Sequence, residues 1–319
     1  MAKPKVFVTR LLPQPAMDKL AQFCEVEVNP FDRQLTRDEL LSGVAGKDAV
    51  LCLLTDTIDD AVLAAAGPNC KIFANYAVGF NNIDVAAAKA RGILISNTPG
   101  VLTDATADLA WALLFSAARR VPEAERFIRA GKYEAWAPQL FLGQDITGAT
   151  LGVIGAGRIG DAFARKSVGF NMKVLYYDVT DNKALEDDIG AERVDLDTLL
   201  QQADFISVHV PLLPDTQHLI SDREFGLMKN TAVFINSARG PIVDEKALVR
   251  ALQNKTIFAA GLDVTEQEPA FEPELAQLDN VVFLPHIASA TIRTRTLMGV
   301  MAVENILAAL DGETPPNAV

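Results

Sequence analysis

Thr150-Leu151-Gly152-Val153-Ile154-Gly155-Ala156-Gly157-Arg158-Ile159-Gly160-Asp161-Ala162-Phe163-Ala164-Arg165-Lys166 is the stretch on which the fold turns. Its first five residues read as a buried strand and its last six as a helix. Between them stands G-x-G-x-x-G. Alone that pattern is weak; between a strand and a helix it has the context that a dinucleotide-binding turn requires. Gly155 permits the tight turn, Gly157 lets the backbone approach a pyrophosphate, and Gly160 lets helix and strand pack closely. Arg158 and Ile159 lie between the second and third glycines, ahead of the helix. Its amides face the phosphates, and Arg158 can add a charge there.

Eighteen residues after Gly160, the next apolar run, Lys173–Tyr177, ends in Asp178. A carboxylate there accepts hydrogen bonds from ribose hydroxyls and repels a 2′-phosphate. Val179 and Thr180 follow, not arginine, so NAD(H) is expected over NADP(H). Four more apolar runs, Phe205–Val210, Ala232–Asn236, Phe258–Val264 and Val281–Leu284, alternate with helical stretches. Six strands in such alternation predict a parallel sheet.

The last three runs lead to reactive residues. Arg239 follows the first of them, Asp263 and Glu268 lie at and beyond the end of the second, and His286 stands just past the third. Open α/β sheets place their chemistry at such ends. An arginine grips a carboxylate bidentately. A histidine hands a proton to a carbonyl oxygen, and a glutamate orients the ring. Singly, Arg239 reads as a strand cap, Glu268 as a solvated loop acid and His286 as a buried histidine. Downstream of a dinucleotide turn, the three together suit reduction of a 2-oxo acid. Of the other two histidines, His209 reads as strand-end structure and His218 as surface; Glu266 reads as solvated. No metal-ligand cluster stands out.

Upstream, the runs Lys5–Thr9, Glu25–Val28, Ala49–Leu54, Lys71–Tyr76 and Gly92–Ser96 alternate with helical stretches such as Pro15–Phe23 and Ile83–Ala90. They predict a second doubly wound sheet. After the fourth run, Ala77-Val78-Gly79-Phe80-Asn81-Asn82 is either a bare turn or a place where backbone N–H groups meet a substrate carboxylate. The turn Asn97-Thr98-Pro99-Gly100 precedes a helix from Thr103 to about Arg119. It is apolar on nearly all sides, which calls for burial on all sides, at a subunit interface or deep between domains. The last helix, Ile292–Leu310, has no strand partner nearby; it packs across an interdomain cleft or onto the first domain.

The bulk numbers agree. A chain of 319 residues predicts about two domains. A net charge of −12 argues against nucleic acid and against an anionic membrane surface. Cys24, Cys52 and Cys70 lie far apart and read as buried thiols of a reducing compartment. No leader sequence and no run of 18 apolar residues is seen, so a cytoplasmic protein is expected.

Together, Val78-Gly79-Phe80-Asn81-Asn82-Ile83-Asp84, the Gly155–Gly160 motif, Ser237-Ala238-Arg239-Gly240, Gly261-Leu262-Asp263-Val264 through Glu268-Pro269, and Leu284-Pro285-His286-Ile287-Ala288-Ser289 resemble the D-isomer-specific 2-hydroxyacid dehydrogenase family. Within it, the stretches Asn97–Asp108 and Ala135–Pro138 look most like glyoxylate/hydroxypyruvate reductases. The resemblance implies an α/β fold of two doubly wound parallel-sheet domains with a cleft between them. One is a flavodoxin-like substrate domain, 1–98 with 290–319; the other is a Rossmann NAD domain, 99–289. It implies Arg239, Glu268 and His286 as the catalytic three and Val78, Gly79 and Ser289 as substrate contacts. Trp136 would reach into a partner subunit's site. Thr106, Pro211, Thr216, Ala238 and Asp263 would line the NAD(H) site with the glycine motif and Asp178. A homodimer built around the helix from Thr103 is implied as well, as are small 2-oxo acid substrates: the run Leu51–Thr57 offers no cation for a phosphorylated one, and 319 residues leave no room for an appended regulatory domain. D-lactate dehydrogenase chemistry and a non-catalytic NAD(H)-sensing scaffold are the alternatives.

Overall fold

A computed structural model describes residues 2–319. The chain forms two compact units: residues up to Leu102 with Ser289–Val319, and Thr103–Ala288. The first is interrupted in sequence by the second. The turn Asn97–Gly100 stays with the first unit, tied by the Asn97 N–H to Asn317 O (3.2 Å) and the Thr98 N–H to Ala77 O (2.9 Å).

The first unit holds β1 (Lys5–Val8), β2 (Glu25–Val28), β3 (Ala49–Cys52), β4 (Ile72–Asn75) and β5 (Leu94–Ser96). All are parallel, in the order β2-β1-β3-β4-β5. This is the flavodoxin-like order. Central β3 and β4 are buried at every residue, as strands covered on both faces must be; edge strand β2 keeps Glu25 exposed. On one face lie the helices Arg37–Val44, Asp60–Ala66 and Val85–Ala90, around Phe7, Leu40, Val62 and Phe73. Elsewhere on the sheet, Ile292–Leu310 packs on β3, β4 and β5 and on the helix Gln14–Phe23. Of the two placements open in the sequence, the last helix takes the first domain.

The second unit holds β6 (Thr150–Ile154), β7 (Lys173–Tyr177), β8 (Glu192–Arg193), β9 (Phe205–Val208), β10 (Val233–Asn236), β11 (Ala259–Leu262) and β12 (Val281–Phe283). Their order is β12-β11-β10-β9-β6-β7-β8, all parallel. The order reverses between β6 and β9, the switch point at which such sheets bind dinucleotides. Strand β8 was not expected; two exposed charged residues carry no apolar signal.

The helix Thr103–Ala118 finds its burial inside this unit, against β10, β11 and the helix Arg158–Arg165. Leu113 and Leu114 are buried; full burial of a leucine stabilises by about 1.5–3 kcal/mol. Trp111 stacks on Phe163 and Phe170 at 5.0 and 5.3 Å, and its indole N–H donates to Phe163 O at 2.9 Å. Most of its apolar surface is thus accounted for without a second subunit. The next helix, Val121–Arg129, contrasts with it: none of its residues is buried. Among the described residues no helix is long and apolar enough to cross a membrane.

Candidate active site

The glycine motif occupies the turn from β6 into the helix Arg158–Arg165. Gly155 has φ +93°, and the backbone of His209 and Val210 passes where a side chain would begin. A Cβ on Gly160 would overlap the Gly155 carbonyl. Gly157, the helix N-cap, faces open space. Two glycines therefore serve the protein's own packing and the third leaves bare backbone clear for a ligand, which fits a bound pyrophosphate. Arg158 is exposed beside it and Ile159 half-buried.

Asp178 faces this loop. Its Oδ2 accepts from the Ala156 N–H at 2.8 Å and its Oδ1 from the Thr180 N–H at 3.1 Å. Arg193, from β8, donates to the carbonyls of Asp178 (2.8 Å) and Val179 (3.2 Å) and pairs with Asp181. This cation carries no signal in the sequence, since it lies 15 residues beyond Asp178. Its hydrogen bonds go to its own unit, and Val179 lies 85% exposed.

Thr106 is buried near the start of its helix. The loop after β9 closes on itself: the Thr216 hydroxyl donates to Pro211 O at 2.6 Å and accepts from the Leu213 N–H at 2.8 Å. Asn236 brackets the turn after β10, accepting from the Ala238 N–H at 3.0 Å and donating to Arg239 O at 3.0 Å. His209, just past β9, is half-buried beside Ser207 (2.9 Å), and desolvation of its ring lowers its pKa to about 3. The ring is neutral at physiological pH, in keeping with a structural role.

The acid/base residues meet on the far strands. Asp263, just past β11, is 0% exposed. Its carboxylate accepts from the N–H groups of Ile287 (2.7 Å) and Ala288 (2.8 Å), and its carbonyl from that of His286 (2.9 Å). Burial pushes its carboxyl upward, against those two amides. Asp263 thus fixes the turn that presents His286, a residue held at φ +54°. The His286 Nδ1 lies 2.8 Å from Glu268 Oε2. A carboxylate oxygen accepts here, so Nδ1 carries the hydrogen of this bond. Arg239 donates to Ala238 O at 2.7 Å. Burial pulls its guanidinium downward, and the charge of Glu268 opposes this. One unit therefore holds a cation and a coupled carboxylate–imidazole pair.

Two residues read as plain surface are engaged. His218 Nε2 lies 2.6 Å from Glu266 Oε1. Glu266 also accepts from the Glu245 N–H at 3.0 Å, and its own N–H donates to Glu245 Oε2 at 2.6 Å. Partners 48 and 21 residues away give no local signal.

In the first unit, the loop after β4 is held by asparagines. Asn75 donates to Gly79 O at 2.9 Å and Asn97 to Val78 O at 2.8 Å. Asn82 ties the same loop to Leu53 O (3.1 Å) and Asp56 O (3.0 Å). With both carbonyls occupied, the N–H groups of Val78 and Gly79 are what the loop has left to offer, and they donate to no group among the described residues. Ser289 is half-buried, its carbonyl accepting from the Thr291 N–H at 2.8 Å. Trp136 is 79% exposed. No metal-holding cluster occurs among the described residues.

Residues 111–288 match the family model described as D-isomer specific 2-hydroxyacid dehydrogenase, NAD binding domain. A glyoxylate reductase of Thermococcus litoralis is 48% identical, over 99% of this chain and 97% of that protein. Among solved structures, a glyoxylate reductase from Paecilomyes thermophila is similar with TM-score 0.89 and 32% identity, over 100% of this chain and 99% of that one. An NADPH-dependent glyoxylate/hydroxypyruvate reductase from Sinorhizobium meliloti, in complex with NADP and malonate, is similar with TM-score 0.85 and 31% identity, over 100% and 97%. With that agreement in sequence and fold along the whole chain, the protein belongs to the D-isomer-specific 2-hydroxyacid dehydrogenase family.

Proposed function

We propose that the protein reduces glyoxylate and hydroxypyruvate to glycolate and D-glycerate with NADH. The observation that carries this reading is the His286–Glu268 pair at 2.8 Å in the unit that holds the dinucleotide turn and half-buried Arg239. Bound NADH supplies the hydride. His286, protonated, gives its Nε2 proton to the substrate's carbonyl oxygen. Glu268 holds the ring by its Nδ1. Arg239 and the amides of Val78 and Gly79 take the substrate carboxylate, and Ser289 meets the C3 hydroxyl of hydroxypyruvate. The residues around the glycine motif hold the dinucleotide: Gly155, Gly157, Arg158, Ile159 and Gly160 at the phosphates, Asp178 at the ribose, and Thr106, Pro211, Thr216, Ala238 and Asp263 along the rest. The unit beginning at the N-terminus is the substrate domain and Thr103–Ala288 the dinucleotide domain.

We further propose a cytoplasmic homodimer. The support is the segment after the helix Thr103–Ala118, where Val121, Ile128, Tyr133, Trp136 and Leu142 are all about half exposed or more. A second copy would cover them, with Trp136 at the partner's site. Three free buried cysteines suit a reducing compartment.

The test is NADH and NADPH oxidation against glyoxylate, hydroxypyruvate and pyruvate. The expected order of kcat/KM places the first two above pyruvate and NADH above NADPH. Preference for pyruvate would make the protein a D-lactate dehydrogenase. NADH binding without turnover of any 2-oxo acid would leave a sensing scaffold.

A further inference from the structure

We propose that Glu245 is a positioning residue for the reaction: its buried carboxylate sets the loop that aims Glu268 at His286. The inference rests on the roles given above to that pair. Glu245 opens the helix Glu245–Gln253, directly after the capping Asp244. Acids in a first helical turn ordinarily face water and the helix dipole. Glu245 is 4% exposed and reaches out of its helix. Its Oε2 accepts from the Glu266 N–H at 2.6 Å and its Oε1 from the Glu272 N–H at 2.5 Å. These two amides lie on either side of Glu268, so one carboxylate fixes both feet of the acid's loop.

The loop is braced within the same frame. Glu266 returns a bond to the Glu245 N–H at 3.0 Å, and its other oxygen meets His218, whose N–H donates to Pro241 O at 2.8 Å. Gly240, next to Arg239, packs so tightly under the loop that a Cβ would overlap the Thr265 carbonyl. Inside the loop, the Thr265 N–H reaches Glu268 Oε1 at 3.3 Å and the Ala270 N–H reaches Gln267 O at 2.8 Å. The backbone on both sides of Glu268 is thus held from behind. A carboxylate can do this because it only accepts and has two oxygens to give. A glutamine would set its NH2 against one of the two amides.

The test compares full-length Glu245→Gln, Glu268→Gln and the double variant, reading kcat against pH for hydroxypyruvate, KM for NADH, and thermal unfolding. The ring whose titration is read faces Glu268, with Asp263 and Arg239 as the other charged groups near it. Glu245→Gln is expected to lower kcat about tenfold, as loss of alignment does, with KM for NADH within about twofold. Its high-pH limb should move downward, as that of Glu268→Gln does. In the Glu268→Gln background the same change should add little, because no acid remains to be aimed. A lower melting temperature with kcat and the pH limb unchanged overturns the proposal. So does an equal, additive loss in both backgrounds. If Glu245→Gln does not fold, Glu245→Asp, which keeps two acceptors on a shorter arm, is read by the same criteria. A Glu268→Gln variant that itself behaves as wild type would overturn the reading of the site, a result distinct from failure of the clamp alone.

Discussion

The Val78–Gly79 loop of the first unit and the Glu268 loop of the second are held by opposite halves of the peptide group. In the first, asparagine side chains donate to the carbonyls of Val78 and Gly79. In the second, the carboxylates of Asp263 and Glu245 accept the amides of Ile287, Ala288, Glu266 and Glu272. Each device decides what its loop has left to present. Neutral donors on the carbonyls leave N–H groups for an anion and add no charge that would repel it. Carboxylates on the amides leave the side chains of their loops to act. The acidic chain thus supports these turns with carboxylates and the Val78–Gly79 loop with neutral amides.

If that division is right, removing the proton carrier does the most damage. His286→Asn is expected to lower kcat by about 10²–10⁴, the usual contribution of general acid catalysis. NADH binding, followed by fluorescence, should persist. Comparable turnover in the variant would put the proton donor elsewhere. Glu268→Gln comes next. The imidazole keeps a hydrogen-bond partner and loses a full charge, so reduction, which needs the charged ring, should fade at lower pH than in the wild type. Oxidation, which needs the neutral ring, should gain at the same pH. A profile that stays in place would separate the two residues functionally.

The first loop should respond differently. Asn97→Ala removes the donor on Val78 O and leaves that carbonyl free to turn. One hydrogen bond of about 1 kcal/mol corresponds to roughly fivefold in affinity. The expected result is KM for glyoxylate raised about fivefold, with the pH profile and KM for NADH unchanged. A shift of the pH limb in this variant would mean that the loops are not independent. Asn75 is the poorer probe, since it is fully buried and its loss would also cost stability.

Both sheets and the glycine turn between β6 and its helix were legible in the sequence, since each sits on a run whose pattern announces it. Buried parallel strands are continuous apolar runs, and a strand end is where the next charged residue falls. What was not legible is how the loops are held. Glu245 drew no reading of its own, Asn75 lies inside the run Lys71–Tyr76 and His218 reads as surface. Their partners lie 21, 4 and 48 residues away in loops with no periodicity. Asp263 is instructive because its position was seen and its bonds were not: both its oxygens go to the His286 turn. The helix from Thr103 was left open between a subunit interface and a deep position, because composition says that a face is buried and never against what.

Asp178 is a third case of a carboxylate accepting a loop amide, and it marks how far the comparison extends. Its Oδ2 takes the Ala156 N–H and its Oδ1 that of Thr180, so it braces the glycine turn from the side where a ribose would lie. Bracing is what the contacts show, and the proposed recognition of the ribose is tested apart from it by one substitution. In Asp178→Ala the repulsion proposed for a 2′-phosphate is gone, while Arg193 remains bound to the carbonyls of Asp178 and Val179 and to Asp181. With Arg193 so engaged, the gain for NADPH should be small, and most of the change should be weaker NADH binding. A loss equal to one or two ribose hydrogen bonds, about 1–2 kcal/mol, is roughly 5–30-fold in KM for NADH. If KM for NADPH falls by as much, Arg193 has left Asp181 to meet the phosphate, and the pair is a cofactor selector. If both cofactors weaken equally, bracing the glycine turn is the larger part of what Asp178 does.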